Sequence, residues 1–322
     1  MRDKWIRQLL DDWVPLALRA GLTPDAFQPG DSWHRRDARR AHLVLRLDGP
    51  QRSVIVKRIF APVDQDRFRA AMSAQRRAEA ALRGHPTANA PRILATDPEA
   101  CICLMDCAPG ETVDALCADT SDPMPALRRA GAWLAAFHKS AAQEQRRFQP
   151  GYMVDHIADL GRQVGDGTLK IRAPAAFLSH ARQVPGWARS FDQGPTVSAV
   201  KHGDMNMRNI LLDDHGCATG IDFSGQGPAP VGFDIARFLL NHAEVYGDLD
   251  HLKTGSAVTP AALAAFFEGY DIVGPADASV AFMLKLQLLI DWVRVPPEDK
   301  GSSMLHHIRF QRIRKLAEVA FG

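Results

Sequence analysis

The chain has 322 residues, enough for two lobes with separate cores, and its 46% hydrophobic and 24% charged content is that of a soluble globular protein. Its 39 basic and 37 acidic residues leave a formal charge of +2, which argues neither for nor against a nucleic-acid partner, and no basic domain face stands out that would. The start, Met1-Arg2-Asp3-Lys4-Trp5-Ile6, lacks the apolar core of a signal peptide, and no apolar run approaches bilayer length. The cysteines at 101, 103, 107, 117 and 217 have no paired cluster with histidine, which argues against zinc. Free thiols suit a reducing cytoplasm, the expected location.

In chain order, residues 4–20 read as a helix, with Trp5, Leu9, Leu10, Trp13 and Leu16 at helical spacing and Pro15 as a point where it kinks or divides. Residues 41–47 and 53–60 read as strands around the turn Asp48-Gly49-Pro50. A helix follows over 64–83, closed by Gly84 and Pro86. Two more strands are expected over 91–94 and 101–105. Beyond Ala108-Pro109-Gly110 the pattern turns helical, with helices over 127–138, 235–242, 260–270, 279–293 and 305–320. The break predicts a hinge at 105–110 between a β-rich N-terminal lobe, 1–104, and an α-rich C-terminal lobe, 111–322.

Three polar groups stand at fixed spacing in an otherwise apolar stretch. Asp204 and Asn209 lie in His202-Gly203-Asp204-Met205-Asn206-Met207-Arg208-Asn209, and Asp222 follows in Ile221-Asp222-Phe223-Ser224. Strands are expected over 197–201, 210–212 and 217–221, with a turn at Asp213-Asp214-His215-Gly216, so that a hairpin holds Asn209 beside Asp222. Phosphoryl transfer from a nucleotide needs this set: one carboxylate to accept the hydroxyl proton, an amide and a second carboxylate to hold Mg²⁺.

Upstream, alternation puts Ile55, Lys57 and Ile59 on one strand face. A lysine there is paired, lies at a cleft, or snorkels from an edge, because burying it unpaired is costly. In the next helix Phe68, Met72, Gln75, Glu79 and Leu82 form one stripe, which turns Glu79 inward toward a possible partner in Lys57. An error of one position in the helix phase would leave Glu79 on the surface instead.

With these parts in order, the chain resembles the aminoglycoside phosphotransferase and choline kinase family. The resemblance runs from about residue 30 to about residue 240. It comprises Lys57, Glu79, Met105-Asp106-Cys107-Ala108-Pro109-Gly110-Glu111, Ala132-Trp133-Leu134-Ala135-Ala136-Phe137-His138, the 202–209 motif, Ile221-Asp222-Phe223 and Gly232-Phe233-Asp234-Ile235-Ala236. The resemblance implies an α+β, bilobal, protein-kinase-like fold with a small antiparallel N-lobe. It implies Asp204 as catalytic base, Asn209 and Asp222 as Mg²⁺ ligands, and Lys57, held by Glu79, on the phosphates of ATP. Backbone groups around Met105 and Cys107 would hold the adenine, which leaves GTP open as donor. His202 would be a structural brace. Asp234 would brace the catalytic loop or, equally, cap the helix beginning at Ile235.

Two positions depart from the kinase pattern. The expected phosphate-covering segment, Gly30-Asp31-Ser32-Trp33-His34-Arg35-Arg36, has a single glycine, and Arg35, Arg36, Arg39 and Arg40 read as phosphate contacts or as a solvated basic turn. Ser224 stands where protein kinases carry glycine. Protein kinases also carry Arg where this chain has Gly203, and the run from Asp222 to Asp234 leaves no room for an activation segment. The expected acceptor is therefore a small hydroxyl compound: aminoglycoside-like, an amino alcohol or a sugar. Glu244, Asp248, Asp250, Asp291 and Trp292 are candidates for binding a cationic one. The alternative is a nucleotide-binding pseudokinase or partner-binding module without turnover.

Overall fold

The alternation at 41–60 does form strands in the computed structural model, which describes residues 2–36, 41–141, 143–225, 227–298 and 303–322. The chain divides into two compact units. One comprises Met1–Gly110 with Asp213–Gln226, the other Glu111–Leu212 with Gly227–Gly322.

The first unit is built on a five-stranded antiparallel sheet. Its strands are β1 (Gln28–Arg36), β2 (Ala41–Asp48) and β3 (Ser53–Ala61), followed in space by Ile102–Asp106 and then Ile93–Asp97. Period-2 alternation decides what each face packs against. Leu43, Leu45 and Leu47 of β2, Val54 and Val56 of β3, and Ile102 and Leu104 are buried with Leu9, Trp13 and Leu16 of helix α1 (Arg2–Arg19). Pro15 lies inside α1, and the helix runs through it undivided. On the opposite face Ile55, Ile59, Cys103 and Met105 pack with Phe68 and Met72 of α2 (Gln65–Leu82). Asp64 caps α2, accepting from Arg67 N at 2.9 Å. The strand Ala218–Gly220 runs parallel to Ala88–Asn89, which places Asp222 in this unit.

The second unit is largely helical: α3 (Val113–Asp119), α4 (Met124–Lys139), α5 (Gly151–Gly165), α6 (Pro174–Ala181), α7 (Val184–Ala188), α8 (Gly232–Val245), α9 (Pro260–Gly269), α10 (Ala278–Arg294) and α11 (Met304–Phe321). Its core gathers on α10, whose Phe282, Met283, Leu286, Leu289 and Trp292 are buried with side chains of α5, α6 and α11. An antiparallel sheet of Pro228–Pro230, Pro195–Val200 and Glu144–Arg147 leads into the 202–209 loop. No helix among the described residues is long and apolar enough to cross a membrane.

Candidate active site

The loop from His202 to Asn209 follows the strand Pro195–Val200, and buried groups fix its path. Gly203 has φ 86°, a left-handed conformation that a side chain would strain. Its N–H donates to Asp234 Oδ1 at 3.1 Å, and His202 N donates to Asp234 Oδ2 at 2.6 Å. Asp234 also meets His138 Nε2 at 3.4 Å, and His138 Nδ1 meets the Tyr270 hydroxyl at 2.8 Å. Helix α8 begins at Gly232 with Val231 as its N-cap, so Asp234 lies inside the first turn, and its partners are those of the loop and of His138. Burial opposes its charge, but the bond and charge of His138, with His202, hold its pKa below the ordinary carboxylate value. His202 is fully buried, with its ring edge-on to Trp133 at 5.8 Å and Nδ1 facing Asp204 N at 3.3 Å, the position of a brace.

Besides His202 at its N–H, Asp204 is held by three side chains. Asn206 Nδ2 and Asn209 Nδ2 each donate to its main-chain oxygen at 2.8 Å, and Arg237 Nη2 donates to its Oδ1. Its side chain keeps 39% of its surface exposed, within reach of a small reactant. Asn209 is 7% exposed. Because its Nδ2 is committed to Asp204 O, its Oδ1 is the atom left to act as a ligand.

In the first unit Lys57 and Asp222 come together, with Lys57 Nζ to Asp222 Oδ1 at 2.6 Å. Asp222 takes φ 62°, an uncommon conformation for a residue with a side chain. Lys57 stands opposite Val44 and Cys103 in register, and burial lifts the Cys103 thiol to about 12, so that cysteine is inert packing.

Glu79 does not pair with Lys57. Its carboxylate is taken by Arg83 one turn on, with Nη2 at 2.9 and 3.0 Å and Nε at 3.2 Å. The reason is height along the helix. Phe68 and Met72 are the residues of α2 that cluster with Ile55 and Ile59, the strand neighbours of Lys57, and Met72 is the further along the helix. Glu79 lies two turns further, about 10 Å along the axis. The next stripe position after Met72 is Gln75, which is 3% exposed and donates to Pro91 O at 2.7 Å.

The segment around Met105 and Cys107 has its donors partly occupied. Asp106 N donates to Arg92 O at 3.0 Å and Cys107 N to Ser53 O at 3.3 Å. Met105 is 8% exposed and pairs with Ile55. Cys107 and Glu79 instead line one cavity of about 290 Å³, together with Arg83, Arg92, Asp106 and Thr219. The segment expected to cover phosphates is strand β1 from Gly30 to Arg36, paired with β2, and not a loop. Trp33 on it is 52% exposed and stands opposite Val44. Arg39 and Arg40 lie outside the described residues.

Three of the four acidic candidates for a cationic acceptor are already engaged, while Asp250 is exposed. Glu244 receives Arg309 Nη2 at 2.6 Å, and Asp291 receives Gln287 Nε2 at 2.9 Å and Arg294 Nη1 at 3.0 Å. Asp248 accepts from Asp250 N at 3.0 Å and meets His251 Nδ1 at 2.7 Å. Trp292 is fully buried, with its N–H on Arg172 O at 2.8 Å, so neither face receives a cation. Arg237, Asn241, His138 and Tyr270 escaped the sequence reading. Only His138 carried a signal, its place in the quoted run from Ala132.

A family model described as the phosphotransferase enzyme family matches residues 31–282. No curated protein matches the chain. Among solved structures, the amicoumacin kinase hAmiN in complex with AMP-PNP, Ca²⁺ and Ami is similar at 16% identity. The match covers 98% of this chain and 95% of that one, with TM-score 0.56. A choline/ethanolamine kinase family protein from Mesorhizobium loti is 16% identical over 98% of this chain and 100% of that one, with TM-score 0.57. The macrolide 2'-phosphotransferase MphH from Brachybacterium faecium is 18% identical over 94% and 97%, with TM-score 0.54. At these identities the likeness is one of fold, and the fold is the α+β, protein-kinase-like one expected from the sequence.

Proposed function

Since this chain belongs to the phosphotransferase enzyme family, we propose that it moves the γ-phosphate of ATP, with Mg²⁺, to a hydroxyl of a small molecule. The observation that carries this reading is the Asp204 carboxylate, presented on a loop whose backbone is fixed by Asp234 and by two amide side chains. A base in phosphoryl transfer must be oriented before the reaction begins, because positioning supplies most of the catalysis.

Asp204 orients the acceptor hydroxyl and takes its proton as the bond to phosphorus forms. Lys57 places a cation on the nucleotide phosphates, and its bond to Asp222 keeps both groups aimed. An amide oxygen on Asn209 and a carboxylate on Asp222 are hard oxygen donors of the kind Mg²⁺ takes, so these residues fit the metal. When bound there, Mg²⁺ neutralises charge on the phosphates. The main chain at 105–108 supplies the adenine contacts, through carbonyls and the Ala108 N–H in preference to the committed N–H of Cys107. A small-molecule hydroxyl compound (aminoglycoside-like, an amino alcohol or a sugar) remains the proposed acceptor. The engagement of Glu244, Asp248 and Asp291 weakens the reason to prefer a cationic one, leaving Asp250 as the exposed acidic candidate.

The test is ADP and GDP release across a panel of sugars, amino alcohols and aminoglycosides, comparing the wild type with Asp204→Ala. The variant should lose at least about 100-fold in turnover while still binding MgATP. Undiminished turnover would remove Asp204 from its role. MgATP binding with no acceptor-dependent turnover would favour a nucleotide-binding module.

A further inference from the structure

Helix α8 reaches back to the 202–209 loop through three side chains. Asp234 accepts from His202 N and Gly203 N, and Asn241 Oδ1 accepts from Met207 N at 3.1 Å. Between them, Arg237 Nη2 donates to Asp204 Oδ1. Steps of three and four residues put all three on one face of the helix. Two of these contacts end on the loop's main chain and fix its path. Only that of Arg237 ends on the carboxylate.

The base of the arginine is rigid. Ile235, Ala236, Phe238, Leu239 and Leu240 around it are all buried. The arginine side chain is 30% exposed, so it stands at the edge of the site, not inside the core. The loop does not need it for its shape, since the main-chain oxygen of Asp204 already accepts from Asn206 and Asn209. The two carboxylate oxygens are held unequally. Oδ1 has the guanidinium, whereas Oδ2 has only Asn209 Nδ2 at 3.4 Å, the edge of hydrogen-bond range.

We infer that Arg237 is a positioning residue for phosphoryl transfer, fixing Oδ1 of Asp204 so that Oδ2 receives the proton of the acceptor hydroxyl. This rests on the function proposed above. In the step, the acceptor oxygen bonds to the γ-phosphorus as the bond from that phosphorus to the β–γ bridging oxygen breaks. ADP leaves with that electron pair, and the hydroxyl proton passes to Oδ2. Arg237 forms no bond to the reactants and moves no proton, because a guanidinium stays charged at any working pH. Lysine, a point charge on a flexible stem, would orient the carboxylate less well.

MgATP turnover with water as acceptor, read as ADP release, tests this without knowledge of the natural acceptor. The proteins are the wild type, Arg237→Met, Arg237→Lys, Asp204→Asn and the double variant Arg237→Met/Asp204→Asn, with MgATP binding measured by calorimetry for each. Arg237→Met should lower kcat about 10- to 100-fold, with Arg237→Lys in between and MgATP affinity within about twofold of the wild type. In the Asp204→Asn background Arg237→Met should cost nothing more, because the two act as one unit. If the methionine variant does not fold, the lysine variant carries the comparison. Wild-type turnover in either single variant would overturn the inference, as would an equal further loss in the Asp204→Asn background. A wild type that neither binds nor turns over MgATP would remove the proposed function, and the inference with it.

Discussion

Asp222 keeps a left-handed backbone at φ 62° and gives one carboxylate oxygen to Lys57 at 2.6 Å. A non-glycine residue in that region costs on the order of 1 kcal/mol and persists where its surroundings over-determine it. The side chain is 42% exposed, so little of the fold depends on its charge. Asp222→Asn should weaken MgATP binding at least about tenfold by calorimetry, with a folding stability within about 0.5 kcal/mol of the wild type. Unchanged MgATP affinity would show that Asp222 is no ligand. The closeness of Asn209 to Asp204 was legible because their spacing is local. Arg237 was not, since an arginine on an amphipathic helix reads as surface and its partner is remote in sequence. Glu79 was misplaced for a different reason. Periodicity tells which face of a helix a residue shares but not how far along the axis its partner lies, and Arg83 was the nearer cation.

Among the elements, α4 and α9 pack closely through two glycines. A Cβ on Gly131 would lie 2.3 Å from Phe266 O, and one on Gly269 would lie 2.0 Å from Arg128 O. Glycine within a helix costs about 1 kcal/mol relative to alanine, so these positions are kept for the approach they permit. The approach serves the site. Tyr270, just after α9, meets His138 of α4, which meets Asp234, which holds the N–H groups of His202 and Gly203. Gly131→Ala should destabilise the protein by about 1–3 kcal/mol in urea unfolding despite its better helix propensity, and should lower kcat more than the affinity for MgATP. A stabilised variant would mean the helices separate without cost. Helices with long apolar stripes, such as α4 and α10, were readable from spacing. The strand β1 was not, because Gly30, Asp31 and Ser32 carry turn chemistry, and its pairing with β2 is what makes it a strand. The strand Glu144–Arg147 is exposed along its length and the helices α6 and α7 are short, so neither offered a pattern, whereas α5 carries Met153, Ile157 and Val164 at helical spacing and was legible but not read.

At the scale of the whole molecule, 39 basic and 37 acidic residues form many exposed pairs, such as Arg128–Glu268 and Arg314–Glu318, each worth about 0–1 kcal/mol. The dependence of stability on pH comes instead from a few buried groups of the second unit. Burial, followed by the nearby charge of Arg312, lowers His242 to about 4 from 6.5. The unfolded chain then binds that proton first as the pH falls, so stability is lost from pH 6.5 down to about 4. Asp234, held below its ordinary value, adds a loss at still lower pH. Glu244 acts in the opposite sense. Burial and the Asp291 carboxylate raise it to about 8, against the pull of Arg309. Its contribution is full below the unfolded value of 4.5 and declines as the pH rises to about 8, because the unfolded chain ionises first. Between about pH 7 and 8 the histidine is neutral in both states, and the slope from Glu244 stands nearly alone, on the order of 1 kcal/mol per pH unit. Glu244→Gln replaces the protonated carboxyl by a neutral group of the same shape that still accepts from Arg309. Its urea midpoint should stay level from pH 7 to 8, while that of the wild type falls. A slope that survives in the variant would place the proton elsewhere, and a wild type with a level midpoint would show that Glu244 is ionised in the fold.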